Sequence, residues 1–140
     1  MVRRPARRVQ VENDAGKIVN YVRHTGDGVV SPHAEVPESV PVGAGTYVES
    51  GARVGPGSRV GDGSWVDHDV VVGRDVRVGD NVHLGPETVV GDRARIGHGA
   101  RLGARVRVEA GAHVQPDAVV PEDATVRRPT GGRSTYDVAA

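Results

Sequence analysis

Seventeen aliphatic residues stand at every sixth position from Val30 to Val126, without one insertion or deletion. Valine fills the series except at Leu84, Ile96 and Leu102. The residue two positions before each, from Ala34 to Ala124, is Ala, Val, Ser or Thr in all sixteen cases. Such a period is neither the 3.6 of a helix nor the simple alternation of an ordinary strand. It marks a repeat solenoid, in which each unit buries its apolar side only against its neighbours. With no phenylalanine and one tryptophan, the core of that solenoid has to be narrow and built from small branched side chains.

Glycine follows the aliphatic residue in nine of the seventeen hexads, and the third residue after it is mostly Gly, Asn or Asp, as at Gly45, Gly63 and Asn81. These types accept positive φ, so each hexad closes in a tight turn. Pro32, Pro37, Pro56, Pro86, Pro116 and Pro121 lie in the turn half; Pro41 alone takes an outward strand position, in the first coil. Each hexad is therefore a three-residue strand, pointing in, out and in, followed by a turn.

Units such as Val60-Gly-Asp-Gly-Ser-Trp-Val66 and Ile96-Gly-His-Gly-Ala-Arg-Leu102 resemble the hexapeptide-repeat family, over about 70% of the chain. The resemblance implies an all-β, single-domain left-handed parallel β-helix, with three hexads to each triangular coil of eighteen residues. Residues 29–128 would make about five and a half coils. Residues 1–28 would be a basic arm (Arg3, Arg4, Arg7, Arg8) and a β-hairpin, Arg8 to Glu12 and Lys17 to Arg23, capping the first coil. Residues 129–140 lack the repeat and read as a C-terminal tail, or an arm onto a neighbouring subunit.

Eighteen basic residues balance eighteen acidic ones, so bulk charge gives no reason to expect nucleic acid or an anionic membrane as partner. Without cysteine there are no disulfides or thiolate metal ligands. No apolar run reaches the roughly 18 residues of a membrane span, and the Arg-rich start lacks the apolar stretch of a secretory signal. The expected location is the cytoplasm.

An eighteen-residue coil sorts the outward residues into three columns. One reads Pro41, Arg59, Arg77, Arg95, His113, an arginine strip suited to phosphate, carboxylate or an acidic partner unless it is simply a solvated face. Asp62 and Asp80, three residues on, are expected to balance part of that charge. The second column holds Tyr47, Trp65, His83 and Arg101; the third holds Arg53, Val71, Val89 and Arg107. Between them runs a corner of Ser50, His68, Pro86, Ala104 and Glu122. Tyr47, Trp65, His68, Val71, Pro86, Val89 and Ala104 would thus form one patch around one corner, and a monomer exposing its only tryptophan there is unexpected. Since the resemblance implies homotrimers packed about a threefold axis, this patch is expected to be the trimer interface.

Histidine is the one plausible base. His68, His83, His98 and His113 are spaced by fifteen residues, but each step climbs a coil and retreats three residues, leaving neighbours about 10 Å apart. No two in one chain would share a metal ion, so no metal site is expected within a chain; one shared between chains stays open. The family's carbonic anhydrases use two histidines five residues apart, a spacing absent here.

The run Val30-Ser-Pro-His-Ala-Glu-Val-Pro-Glu-Ser-Val-Pro-Val-Gly43 resembles the opening coils of the family's sugar acyltransferases, and Ile96-Gly97-His98 a segment that carries a base in some of them. This resemblance implies His98, or His83, deprotonating a sugar or amine acceptor. The acyl group would come from a thioester of coenzyme A or acyl carrier protein, a co-substrate rather than a permanently bound cofactor. Asp92 and Glu109 are the nearest carboxylates along the chain to orient His98. The loop or helical segment that usually walls off the acceptor in such enzymes is missing, so any pocket is expected in a groove between subunits. The alternative is a non-catalytic trimeric scaffold or binding module.

Overall fold

The computed structural model describes residues 7–130 and 133–138; Arg3 and Arg4 of the expected basic arm lie outside them. Arg8–Glu12 and Ile18–Arg23 form an antiparallel hairpin, paired from Arg8↔Val22 to Glu12↔Ile18. Asn13 makes its turn by accepting the Ala15 and Lys17 N–H groups on Oδ1. The hairpin then pairs antiparallel with the first rung of the array, Val22↔Val30 and Arg23↔Val29. That edge would otherwise leave the first coil open, so the hairpin caps it.

From there every rung pairs in parallel with the residue eighteen positions on: Val48↔Val66, Val54↔Val72, Val60↔Val78, Leu84↔Leu102. This register makes three hexads one coil. The coils stack three sheets, which carry Trp65, Val71 and Arg77 on their outer faces. The expected triangular all-β solenoid is what forms, consistent with left-handed winding, and the described residues contain no helix.

Inside, the column from Val42 to Val126 and its small-residue companions are almost fully excluded from water. Four companions are hydroxyls, Thr46, Ser58, Ser64 and Thr88, each at most 1% exposed. Each donates to a carbonyl fifteen residues on, as Ser64 does to Gly79 O at 2.8 Å, and no buried side-chain polar atom among the described residues is unpaired. Such pairing offsets the desolvation cost of placing a hydroxyl in the core.

The tight turns fall where the hexad predicts, three residues after each aliphatic position. Positive φ is not confined there to Gly, Asn and Asp. Glu87, Arg93 and Arg105 adopt φ of 62°, 61° and 57°. Stacking of the coils overrides local preference, because each of these backbone N–H groups bonds the coil below, as Arg93 N does to Arg74 O at 2.8 Å. At the far end Ala124–Thr130 continues the Val71 sheet, and Arg133–Val138 returns antiparallel to it, so a second hairpin closes the array.

Candidate functional site

At the corner between the Trp65 and Val71 faces, the position after the aliphatic residue is Glu49 in one coil and Asp67 in the next, where many hexads have glycine. Both acids are buried, at 8% and 9% exposure. A buried carboxylate needs partners, and these two have them. Tyr21 of the hairpin donates its hydroxyl to Glu49 Oε1 at 2.7 Å, and Trp65 Nε1–H donates to Glu49 Oε2 at 2.7 Å. Tyr21 also meets Tyr47 edge to face, with ring centroids 5.2 Å apart. Burial first, then the adjoining Glu49 carboxylate, pushes the Tyr21 phenol well above its usual range. The hairpin is therefore locked to the prism through Glu49.

Asp67 holds two imidazoles. His68 Nδ1 lies 2.9 Å from Oδ1, which also accepts the His68 backbone N–H at 2.8 Å, and His83 Nε2 lies 3.3 Å from Oδ2. Burial alone would raise the Asp67 carboxyl. The His68 backbone N–H and the two imidazoles outweigh it and hold the group below the usual aspartate range. His83 in turn stacks on Trp65, with centroids 4.4 Å apart and planes 11° apart, as their direct pairing in the ladder dictates. The diagonal step between His68 and His83 is thus bridged by one carboxylate. No group of three or more His, Asp or Glu among the described residues stands where it could hold a metal ion.

A pocket of about 510 Å³ opens beside this cluster, between the hairpin and the corner, with Lys17, Asn20, Tyr21, Glu49, Trp65 and His68 in its walls. The sequence placed every cleft between subunits; the hairpin supplies the missing wall within one chain. His83 lies on the other side of Trp65, along a hollow shared with Asn81 and Arg101.

His98 is elsewhere, at the corner between the arginine and Trp65 faces. Its Nδ1 accepts the Asp80 backbone N–H at 2.8 Å. It continues a ladder in which Asp62 Oδ1 accepts the Ala44 N–H and Asp80 Oδ1 accepts the Asp62 N–H. A neutral His98 so bonded carries its proton on Nε2. Neither Asp92 nor Glu109 orients it: Asp92 accepts the Arg74 N–H and Glu109 the Arg128 N–H. Asp62 and Asp80, at the rim of the arginine strip, form no ion pair with Arg59, Arg77 or Arg95; their carboxylates turn to this backbone ladder. The expected interface patch is apolar and open, with Trp65 43%, Val71 40% and Val89 39% exposed. His68 and Pro86 are exposed beside it, and Tyr47 and Ala104 are half-buried.

Glu49 and Asp67 are the residues that sequence reasoning missed. Their signal was two acids eighteen residues apart at a position where glycine is common, which puts both on one corner.

Residues 57–91 and 69–104 match the model of the bacterial transferase hexapeptide (six repeats). No curated protein sequence matches the chain. Among solved structures, PerB from Caulobacter crescentus, in complex with CoA and GDP-perosamine, is 28% identical over 83% of this chain and 58% of its own, at a TM-score of 0.45. The acetyltransferase domain of PglB from Neisseria gonorrhoeae, in complex with acetyl coenzyme A, is 26% identical over 79% of this chain and 58% of its own, at a TM-score of 0.43. The chain thus spans less than two thirds of the length of either. A Bacillus cereus protein, 15% identical over 82% of this chain and 80% of its own, superposes at a TM-score of 0.51 and shares the fold. Residues 57–104 thus match the bacterial transferase hexapeptide repeat, the same six-residue unit whose stacking shapes the prism.

Proposed function

We propose that the chain is an acyltransferase that moves an acyl group from a coenzyme A thioester to a sugar or amine acceptor seated in the pocket between hairpin and corner. The observation that carries this reading is Asp67 gripping His68 beside that pocket. A general base needs a lone pair facing the acceptor and a partner fixing its tautomer. His68 gives Nδ1–H to Asp67, which leaves Nε2 to take the acceptor proton as the acceptor attacks the thioester carbonyl. Asp67 then stabilises the imidazolium, and the proton passes on to the leaving thiolate. His83, tied to Asp67 through Nε2 and packed on Trp65, is the second candidate. His98 is a poor base, since its Nδ1 lone pair is already taken. Asn20, Lys17 and His33 supply polar groups suited to a hydroxyl-bearing acceptor.

Thiol release from acetyl-CoA, followed across amino-sugar and amine acceptors, tests this. Turnover should fall about 10²- to 10⁴-fold in His68→Ala, with folding retained, and stay within about threefold of wild type in His98→Ala. Loss in His98→Ala with activity kept in His68→Ala would reverse the assignment. No turnover of any thioester would favour the scaffold reading, which draws support from seventeen hexads without an inserted loop.

The open Val71 and Val89 face, continued by Trp65, supports a homotrimer in which this face packs against a neighbouring chain and the pocket beside His68 lies at the edge of the contact. Light scattering should give three chains for the wild type and one for Val89→Arg. A monomeric wild type, or an unchanged trimer in the variant, would refute that arrangement.

A further inference from the structure

The arginine face is separate from the acid–histidine corner, and its charge has no internal explanation. Arg59 pairs directly with Arg77, and Arg77 with Arg95, in one parallel ladder. Their backbones are therefore about 4.8 Å apart along the prism axis. All three side chains are exposed, and none has a carboxylate within ion-pair distance among the described residues. Arg53 on the Val71 face meets Glu35 at 3.5 Å and the turn residue Arg105 meets Asp123 at 2.7 Å; Arg101 and Arg107 are also unpaired among the described residues, but neither stands next to another arginine in its ladder. The two aspartates nearest the strip, Asp62 and Asp80, spend Oδ1 on backbone N–H groups at the rim. Like charges facing each other across a ladder repel, so this column weakens the fold unless something anionic lies on it. The three arginines line one shallow trough of about 670 Å³, which runs from Pro41 to His113 and Pro116 and has the edges of Val60, Val78 and Ile96 as its floor. That volume suits a small molecule, and its length follows the arginine row.

We propose that this trough binds an oligophosphate, a ligand with two or three phosphate groups in a row, laid along Arg59, Arg77 and Arg95. The guanidinium fork matches phosphate oxygens in pairs, and three flexible arginine side chains in a row can converge on one phosphate chain where a single anion would engage only one of them. The trough is spatially separate from the Asp67 cluster, since no residue that lines it belongs to that cluster. Both a free polyphosphate and the phosphate chain of a nucleotide carry this chemistry.

Calorimetric titration of the full chain with inorganic triphosphate at low salt tests it, with ADP as a second arm. Triphosphate should bind in the micromolar range and weaken at least tenfold in Arg77→Gln and in Arg95→Gln. It should stay within twofold in Arg107→Gln, whose ladder neighbours Val89 and Thr125 are uncharged. Without phosphate, Arg77→Gln should melt no lower than wild type, because repulsion is relieved, and it should lose the rise in melting temperature that triphosphate produces. ADP binding as tightly as triphosphate would assign the site to nucleotides; triphosphate binding alone would assign it to free polyphosphate. No binding at millimolar triphosphate, or equal weakening in Arg107→Gln, would overturn the proposal.

Discussion

Asp67 is the residue on which the acid–histidine corner turns. Where other hexads place glycine, it brings a carboxylate into the prism and draws His68 and His83 to it. Its folded pKa lies below the unfolded one, despite the opposing effect of burial, because three hydrogen bonds favour the ionised form. The stability it contributes is therefore complete above the ordinary aspartate value of about 3.9 and is lost as pH falls through the folded value. A carboxyl ¹³C titration should place the Asp67 midpoint below about 3.9, and a midpoint at or above that value would mean the two imidazoles are not held. The residue type was plain in the sequence. Its burial was not, because an acid after a strand residue equally suits a solvated turn.

The hexad itself shows how far local chemistry reaches. Its turn position was legible from Gly45, Gly51 and Gly57, yet Glu87, Arg93 and Arg105 take the same left-handed conformation against their preference. Holding a non-glycine residue there costs about 1 kcal/mol, part of which glycine would give back through the freer unfolded chain. Arg93→Gly should accordingly stabilise the protein by about 0.5 kcal/mol in urea unfolding; a loss would mean the Arg93 side chain makes a contact that outweighs the strain. The glycine after the aliphatic residue behaves in the opposite way. A Cβ on Gly97 would stand 2.5 Å from Pro116 N, in the next coil, with backbone that cannot step aside.

Across the whole molecule, each coil is stable only through the coils on either side. Val78 sits mid-array, 4% exposed, paired with Val60 on one side and Ile96 on the other. An aspartate there would bury an unpaired charge, at a cost of several kcal/mol against a total stability of about 5–15 kcal/mol. Val78→Asp should abolish the folded state, read by circular dichroism at 25 °C. A folded variant would mean that the column is wet or that the coils can slip. Both ends of the stack are closed by antiparallel hairpins, and the first of them also builds the wall of the candidate pocket.

Period and spacing were enough to specify a repeat solenoid with a turn in every hexad; the resemblance to the hexapeptide-repeat family supplied the three-hexad coil and so the three outward columns. A six-residue repeat buries its aliphatic column only by stacking, and the eighteen-residue coil that the resemblance implies and the pairing register shows then dictates which side chains are neighbours. That arrangement puts Trp65 over His83 and Arg59 over Arg77, as the ladder shows. The repeat was silent on direction within a corner. The union of His68 and His83 on Asp67, the turning of Asp62 and Asp80 to backbone N–H groups, and the swing of Tyr21 onto Glu49 all depend on rotamers that close only when separate segments meet. Repetition encodes position along and around the prism. Which polar atoms find each other is settled by three-dimensional packing, because a buried carboxylate takes whatever donors the assembled coils bring within reach.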